Sequence, residues 1–247
     1  MSQALIAQSG GFLRDRTGDT GCPSNDGVCL GWMVDHLDRY WDPFLEHVVL
    51  TLIPLTIGFA IALTMGLIAH RQKWLITPLT GLTTAIYTIP SISSFLLLLP
   101  ITGRGNDTAI VALTAYTLVI IFRNVITGLA GVPEAAVDAA RGMGLTGRQL
   151  LFRVELPLAL PLVVSGVRLA LVQVWATATI AALVAGPGLG NVVTQGFTSN
   201  DTAQVVAGAL LIAVIAVVLE AVMAGLERLL DPRRAARTAG RRDRAVT

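Results

Sequence analysis

Five stretches of this chain run for 21 or more residues with almost no charge. Residues 44–69 carry Glu46 and His47 only in the first turn. Residues 74–101 have no charge and three prolines, Pro78, Pro90 and Pro100. Arg123 is alone in 109–129, Arg168 in 158–185 and Glu220 in 203–226. About 20 apolar residues suffice to cross the ~30 Å hydrocarbon core. A backbone in lipid must satisfy its own hydrogen bonds, so each run is expected as a helix. The composition agrees, with 53% hydrophobic and 14% charged residues, against about 45–50% and 25% in a soluble domain. That excludes an ordinary soluble enzyme and a disordered chain. A net charge of +2 gives little general attraction to phosphate, so no nucleic-acid partner is expected. The expected fold is an all-α membrane protein with five transmembrane helices.

With five spans the termini lie on opposite sides. A cytoplasmic C-terminus puts twelve Arg and Lys inside and four outside, which favours N-terminus outside, C-terminus cytoplasmic. Residues 1–43 then form an extracytoplasmic segment with three Arg and six Asp. Leu30, Met33, Val34, Leu37, Tyr40 and Trp41 fit helical spacing, either an interfacial helix or a short capping helix. Cys22 and Cys29 are too far apart for a thioredoxin-like pair and too few for zinc, leaving a local disulfide or two free thiols. On an oxidising outer face they are a candidate disulfide, closed by Pro23, Asn25, Asp26 and Gly27. Residues 44–230 are the transmembrane domain. Residues 231–247 are an Arg-rich cytoplasmic tail suited to anionic lipid.

Between the third and fourth runs lies the longest cytoplasmic connection before the tail, residues 131–157. Pro133 and Glu134 open a helix over 133–141 that is rich in Ala. Gly142 and Gly144 stop it. Thr146 can cap a second short helix over 147–154, and Pro157 opens the fourth span. A helix–turn–helix projecting from a membrane bundle is a docking element.

This loop resembles the EAA motif of membrane subunits of binding-protein-dependent, ATP-driven importers: Glu-Ala-Ala, three residues, Gly, nine residues, Ile-x-Leu-Pro. A register starting at Glu134 puts Ala140 where the Gly belongs. A register starting at Asp138-Ala139-Ala140 puts Gly144 at the Gly and Val154-Glu155-Leu156-Pro157 at the end. Asp for Glu and Val for Ile are mild departures. Asp-Ala-Ala-Arg-Gly-Met-Gly-Leu-Thr, Val-Glu-Leu-Pro-Leu-Ala-Leu-Pro, Thr-Ala-Thr-Ile-Ala-Ala-Leu-Val-Ala-Gly, Gly188-Leu-Gly190 and Tyr87-Thr-Ile-Pro-Ser are similar to permeases of the osmoprotectant branch, over about residues 46–226. That branch imports glycine betaine, carnitine, choline and related quaternary amines. The resemblance implies a methionine-importer-type bundle in a prokaryotic cell membrane. Its partners would be a second permease (the same or a related chain), two cytoplasmic ATPases that bind ATP, and an external substrate-binding protein. It implies no cofactor in this chain and an ATPase-coupling role for Asp138, Ala139, Ala140, Gly144, Val154, Leu156 and Pro157. Asp138 would favour the helix start or pair with an Arg of the ATPase, and Ala139 and Ala140 would let that subunit approach closely.

Pro90, Ser91, Ser93 and Ser94, beside Tyr87, are expected to kink the second span. Their hydroxyls either line the translocation path or repair the kink. Gly186, Gly188 and Gly190 are a candidate gate at the outer mouth or simply the end of span four. Arg123, Arg168 and Glu220 are candidate buried charges, with Arg168–Glu220 the favoured pair and Arg123 the competing partner. No catalytic constellation or metal site is expected: the three His are dispersed, and the lone Lys73 belongs to no phosphate loop. Aromatics for a cation cage are few in the spans (Phe59, Tyr87, Phe95, Tyr116, Phe122 and Trp175), which points to solute recognition in the external protein. The alternatives are a permease for another small solute such as an amino acid, a membrane-embedded enzyme, and a proton-coupled carrier using Glu220.

Overall fold

The computed structural model describes residues 38–184 and 186–230, and every regular element within them is helical. Cys22, Cys29, the N-terminal segment up to residue 37 and the Arg-rich tail 231–247 lie outside the described residues. Helix α1 (Asp38–Arg71) leads through a 3-10 turn (Lys73–Leu75) into α2 (Ile76–Thr88) and α3 (Ser91–Thr102). Then come α4 (Asn106–Ala130), the short α5 (Glu134–Gly142), α6 (Gly147–Leu150), a π turn (Leu151–Glu155) and α7 (Leu156–Ala181). A second 3-10 turn (Ala182–Val184) precedes α8 (Leu189–Thr198) and α9 (Thr202–Leu230). Four helices are long and apolar enough to cross a membrane, or five if the bent pair α2/α3 is one span.

Helix α4 is the hub, packed between α1 and α7. At one level Ile121, Phe122 and Val125 of α4 are buried against Leu55 and Ala62 of α1 and Val163 and Ala170 of α7. At the other, Ala112 and Leu113 meet Leu50, Phe95, Val174 and Ala178. Small residues allow these close crossings, as is usual where lipid removes the hydrophobic drive between helices. A Cβ on Gly58, for example, would lie 2.6 Å from Thr117 Cγ2. Helix α9 packs on α7 and α8 and leaves Val214, Val217, Val218 and Val222 exposed. Such a face needs lipid or another subunit over it.

Four expectations change. Tyr40 and Trp41 lie in one continuous helix with the first span, described from Asp38 to Arg71, instead of closing a separate helix. The second run is two helices meeting at 97°. Pro90 supplies no N–H and drives the preceding residue out of the helical region; Ile89 is extended, at φ −72° and ψ 124°. The fourth helix starts at Gly147, ten residues before Pro157. Thr146 and Gln149 make a capping box there. The π turn, closed by Leu156 N–H on Leu151 O, carries the helix onward to a proline near the start of α7. Finally, α8 was not anticipated within the connection after span four.

Candidate functional site

At one end of the bundle, α5 and α6 form a hairpin. Pro133 sits at the N-cap of α5 and Glu134 follows. Beyond Gly142, Leu145 N–H reaches back to Ala140 O at 3.2 Å and Gly144 N–H to Arg141 O at 2.9 Å. Gly144 turns the chain at φ 79°, a left-handed conformation that a Cβ would strain. The two alanines expected to face a partner together are on different sides. Ala140 is buried within the chain, where α5 packs on α6 and the π turn, whereas Ala135, Ala139 and Met143 are exposed. Asp138 stands in the second turn of α5, not at its start, where Glu134 takes the position near the helix dipole. Asp138 lines a cavity of about 680 Å³ with His70, Lys73, Glu134, Arg141 and Glu155. In its wall His70 Nε2 donates to Glu155 Oε2 at 3.0 Å. Val154 and Leu156 are half-buried where the π turn joins α7, and Pro157 is exposed.

At the α2/α3 break the orphan carbonyl of Ile89 accepts the Tyr116 hydroxyl at 2.5 Å. Tyr87 meets Tyr116 edge-on, with centroids 6.1 Å apart, and is itself exposed. Pro90 caps α3. Ser94 Oγ bonds Ser91 O in its own helix at 2.8 Å, so that hydroxyl is used in repairing the break. Ser91 and Ser93 are half-buried beside it.

The glycine loop 186–190 is fastened to α1. Gly188, at φ 100°, donates its N–H to Glu46 Oε2 at 3.0 Å. His47 is fully buried next to it. The His47 ring bonds Trp175 O at 3.1 Å and stands edge-on to the Trp175 indole, centroids 4.4 Å apart. Trp175 Nε1 in turn donates to Ile212 O of α9 at 3.1 Å. Gly186 N–H caps Ala181 O at 2.9 Å. At Gly190 the backbone of Thr179 occupies the space of a Cβ.

Of the charges, Arg168 of α7 is brought to two carboxylates of α9. It donates to Glu220 through Nε (2.8 Å) and Nη2, and to Glu227 through Nη1 at 2.6 Å. Arg123 is elsewhere, donating to Thr84 Oγ1 of α2 at 2.7 Å. Sequence reasoning missed Glu227, whose signal was its place seven residues after Glu220, on the same face of one helix. It also gave no role to Glu46, His47, His70 or Glu155. Among the described residues no group of His, Cys, Asp and Glu could hold a metal.

The fold is a multi-span helical bundle with a small hairpin at one end and a broken second span. Residues 55–236 match the family model for the binding-protein-dependent transport system inner membrane component. The chain belongs to that family: it is an inner-membrane permease, and the ATPase of such a system is a separate subunit. It is 34% identical over 209 residues to the osmoprotectant import permease protein OsmW of Salmonella typhimurium, covering 83% of this chain and 97% of that one. It is 32% identical to the choline transport system permease protein OpuBB of Bacillus subtilis, covering 76% and 86%. The solved structure of the MetNI methionine ABC transporter, inward facing, matches with TM-score 0.71 at 22% identity, over 81% of this chain and 97% of that one. At that identity the likeness shows the fold.

Proposed function

We propose that this chain forms the translocation path for quaternary-amine osmoprotectants such as glycine betaine, choline or carnitine. It works as one of two permease subunits, with cytoplasmic ATPases on its α5–α6 hairpin and an external binding protein at the glycine loop. The observation that carries this reading is the similarity to permeases named for osmoprotectants and choline across most of both chains. The excess of Arg and Lys on the hairpin side supports an N-terminus outside and a C-terminus in the cytoplasm. Exposed Ala139 and Met143 then present an apolar tip to the ATPase. The break at Pro90 and the loop 186–190 are the pathway and gate elements. Glu220 is held by Arg168, which supports a fixed counter-ion over a proton site.

Reconstitution with the partner subunits tests the reading. ATP-dependent uptake of radiolabelled betaine, choline or carnitine, inhibited by excess unlabelled solute, is the expected result. Uptake of an amino acid alone would overturn the substrate class. Uptake without ATP, driven by a proton gradient, would overturn the mechanism.

A further inference from the structure

The His70–Glu155 bond is, among the described residues, the one side-chain hydrogen bond that leaves residues 131–157 for another element. It joins positions 85 residues apart. Both side chains are largely shielded, at 25% and 12% exposure. The bond lies in the wall of the 680 Å³ cavity under the hairpin, where it ties the end of α1 to the π turn at the foot of the hairpin. Each end is at a mechanically distinctive place. Glu155 closes the π turn, a rare local widening that often marks functional positions. One extra residue in a helix rotates the upstream part by about 100° relative to the downstream part. The π turn therefore sets the azimuth of the hairpin on α7. His70 lies in the last turn of α1, one residue before its end. From there the chain passes through one 3-10 turn into α2 and then to the break at Pro90.

We infer that His70 and Glu155 are positioning residues that transmit movement of the hairpin to the end of α1 and the broken second span. The inference rests on the proposed role of residues 138–157 as the ATPase-coupling segment. Helix α5 faces the end of α1 across the cavity, while Ala69 of α1 and Leu151 of the π turn are buried in one apolar cluster beside the bond. A hydrogen bond between a carboxylate and an imidazole N–H is directional, and constrains both distance and orientation.

The test uses the full complex in proteoliposomes, reading solute moved per ATP hydrolysed. Glu155→Met and His70→Phe remove the bond with bulk kept, while Glu155→Gln keeps an acceptor and His70→Gln a donor. The first two should lower the transport ratio by at least about fivefold, the lower end of a coupling energy between sites. The double removal should be no worse than either single, and the Gln variants should recover the ratio. An unchanged ratio, additive loss in the double variant, or equal loss of membrane insertion in the Met and Gln variants would overturn the inference. Ala139→Trp separates the layers. If it leaves the ATPase bound and transport coupled, the underlying reading of the segment fails. If it uncouples while the pair variants do not, only the pair's role fails.

Discussion

Arg168 faces Glu220 and Glu227, two turns apart on α9, so a single guanidinium holds two carboxylates together. The planar fork of five donors suits this work, which an ammonium would do less well. The three removals are therefore unequal. Arg168→Met leaves two carboxylates facing one another with no cation. Glu220→Gln leaves Arg168 paired with Glu227. Detergent-extracted protein run on gel filtration should show the Arg168→Met variant largely lost or aggregated and Glu220→Gln mostly monodisperse; equal behaviour would refute the shared-cation account. Packing gives a second contrast between residues. Gly58 lies against Thr117, while a Cβ on Gly225 would meet nothing within 4 Å. Gly58→Val should cost about 1–3 kcal/mol by overpacking and lower the Tm in detergent. Gly225→Ala should hold or raise it, because Ala is the better helix former.

Helix α5 shows how the two sides of a short helix separate folding from docking. Ala140 is 1% exposed inside the chain and Ala139 is exposed. Ala140→Trp should therefore reduce the amount of folded permease. Ala139→Trp should fold normally and fail only where the ATPase docks. Co-purification of the ATPase with each variant, set against membrane level, checks this; loss of folded protein in the Ala139 variant would contradict it. Gly144 is limited by its backbone and not by space, since a Cβ there would meet nothing within 4 Å. Gly144→Ala should cost about 1–2 kcal/mol for a side chain in the left-handed region, and Gly144→Val more. The motif spacing was legible because it is a count of residues. Which alanine faces inward was not, since two adjacent alanines carry the same chemistry and only tertiary packing tells them apart. Pro90 was readable as a kink because its missing N–H acts locally. Pro157 was readable as standing in the first turn of α7, but the π turn that joins α6 to it was not, because it has no residue signature of its own.

At the scale of the whole molecule, runs of apolar residues located the long helices, since bilayer thickness fixes their length. The same signal hid the bend between α2 and α3 and the existence of α8, because hydropathy reports burial in lipid or protein without direction. Orientation is encoded differently, in the sparse cations of the connections. Arg104 stands exposed between α3 and α4, and Arg141 stands exposed at the end of α5. They lie at opposite ends of α4, whose 25 residues extend about 38 Å at 1.5 Å per residue. The proposed topology puts Arg104 outside and Arg141 in the cytoplasm. With Cys22 and Cys29 replaced by Ser, Arg104→Cys should react with an impermeant maleimide on intact cells. Arg141→Cys should react only after lysis. The reverse pattern would invert the bundle and move the hairpin to the face without ATP, removing the basis for coupling there. In the unreplaced chain, the Cys22–Cys29 pair should label on intact cells only after mild reduction if it forms the proposed disulfide. Labelling without reduction would remove the disulfide and leave the orientation standing.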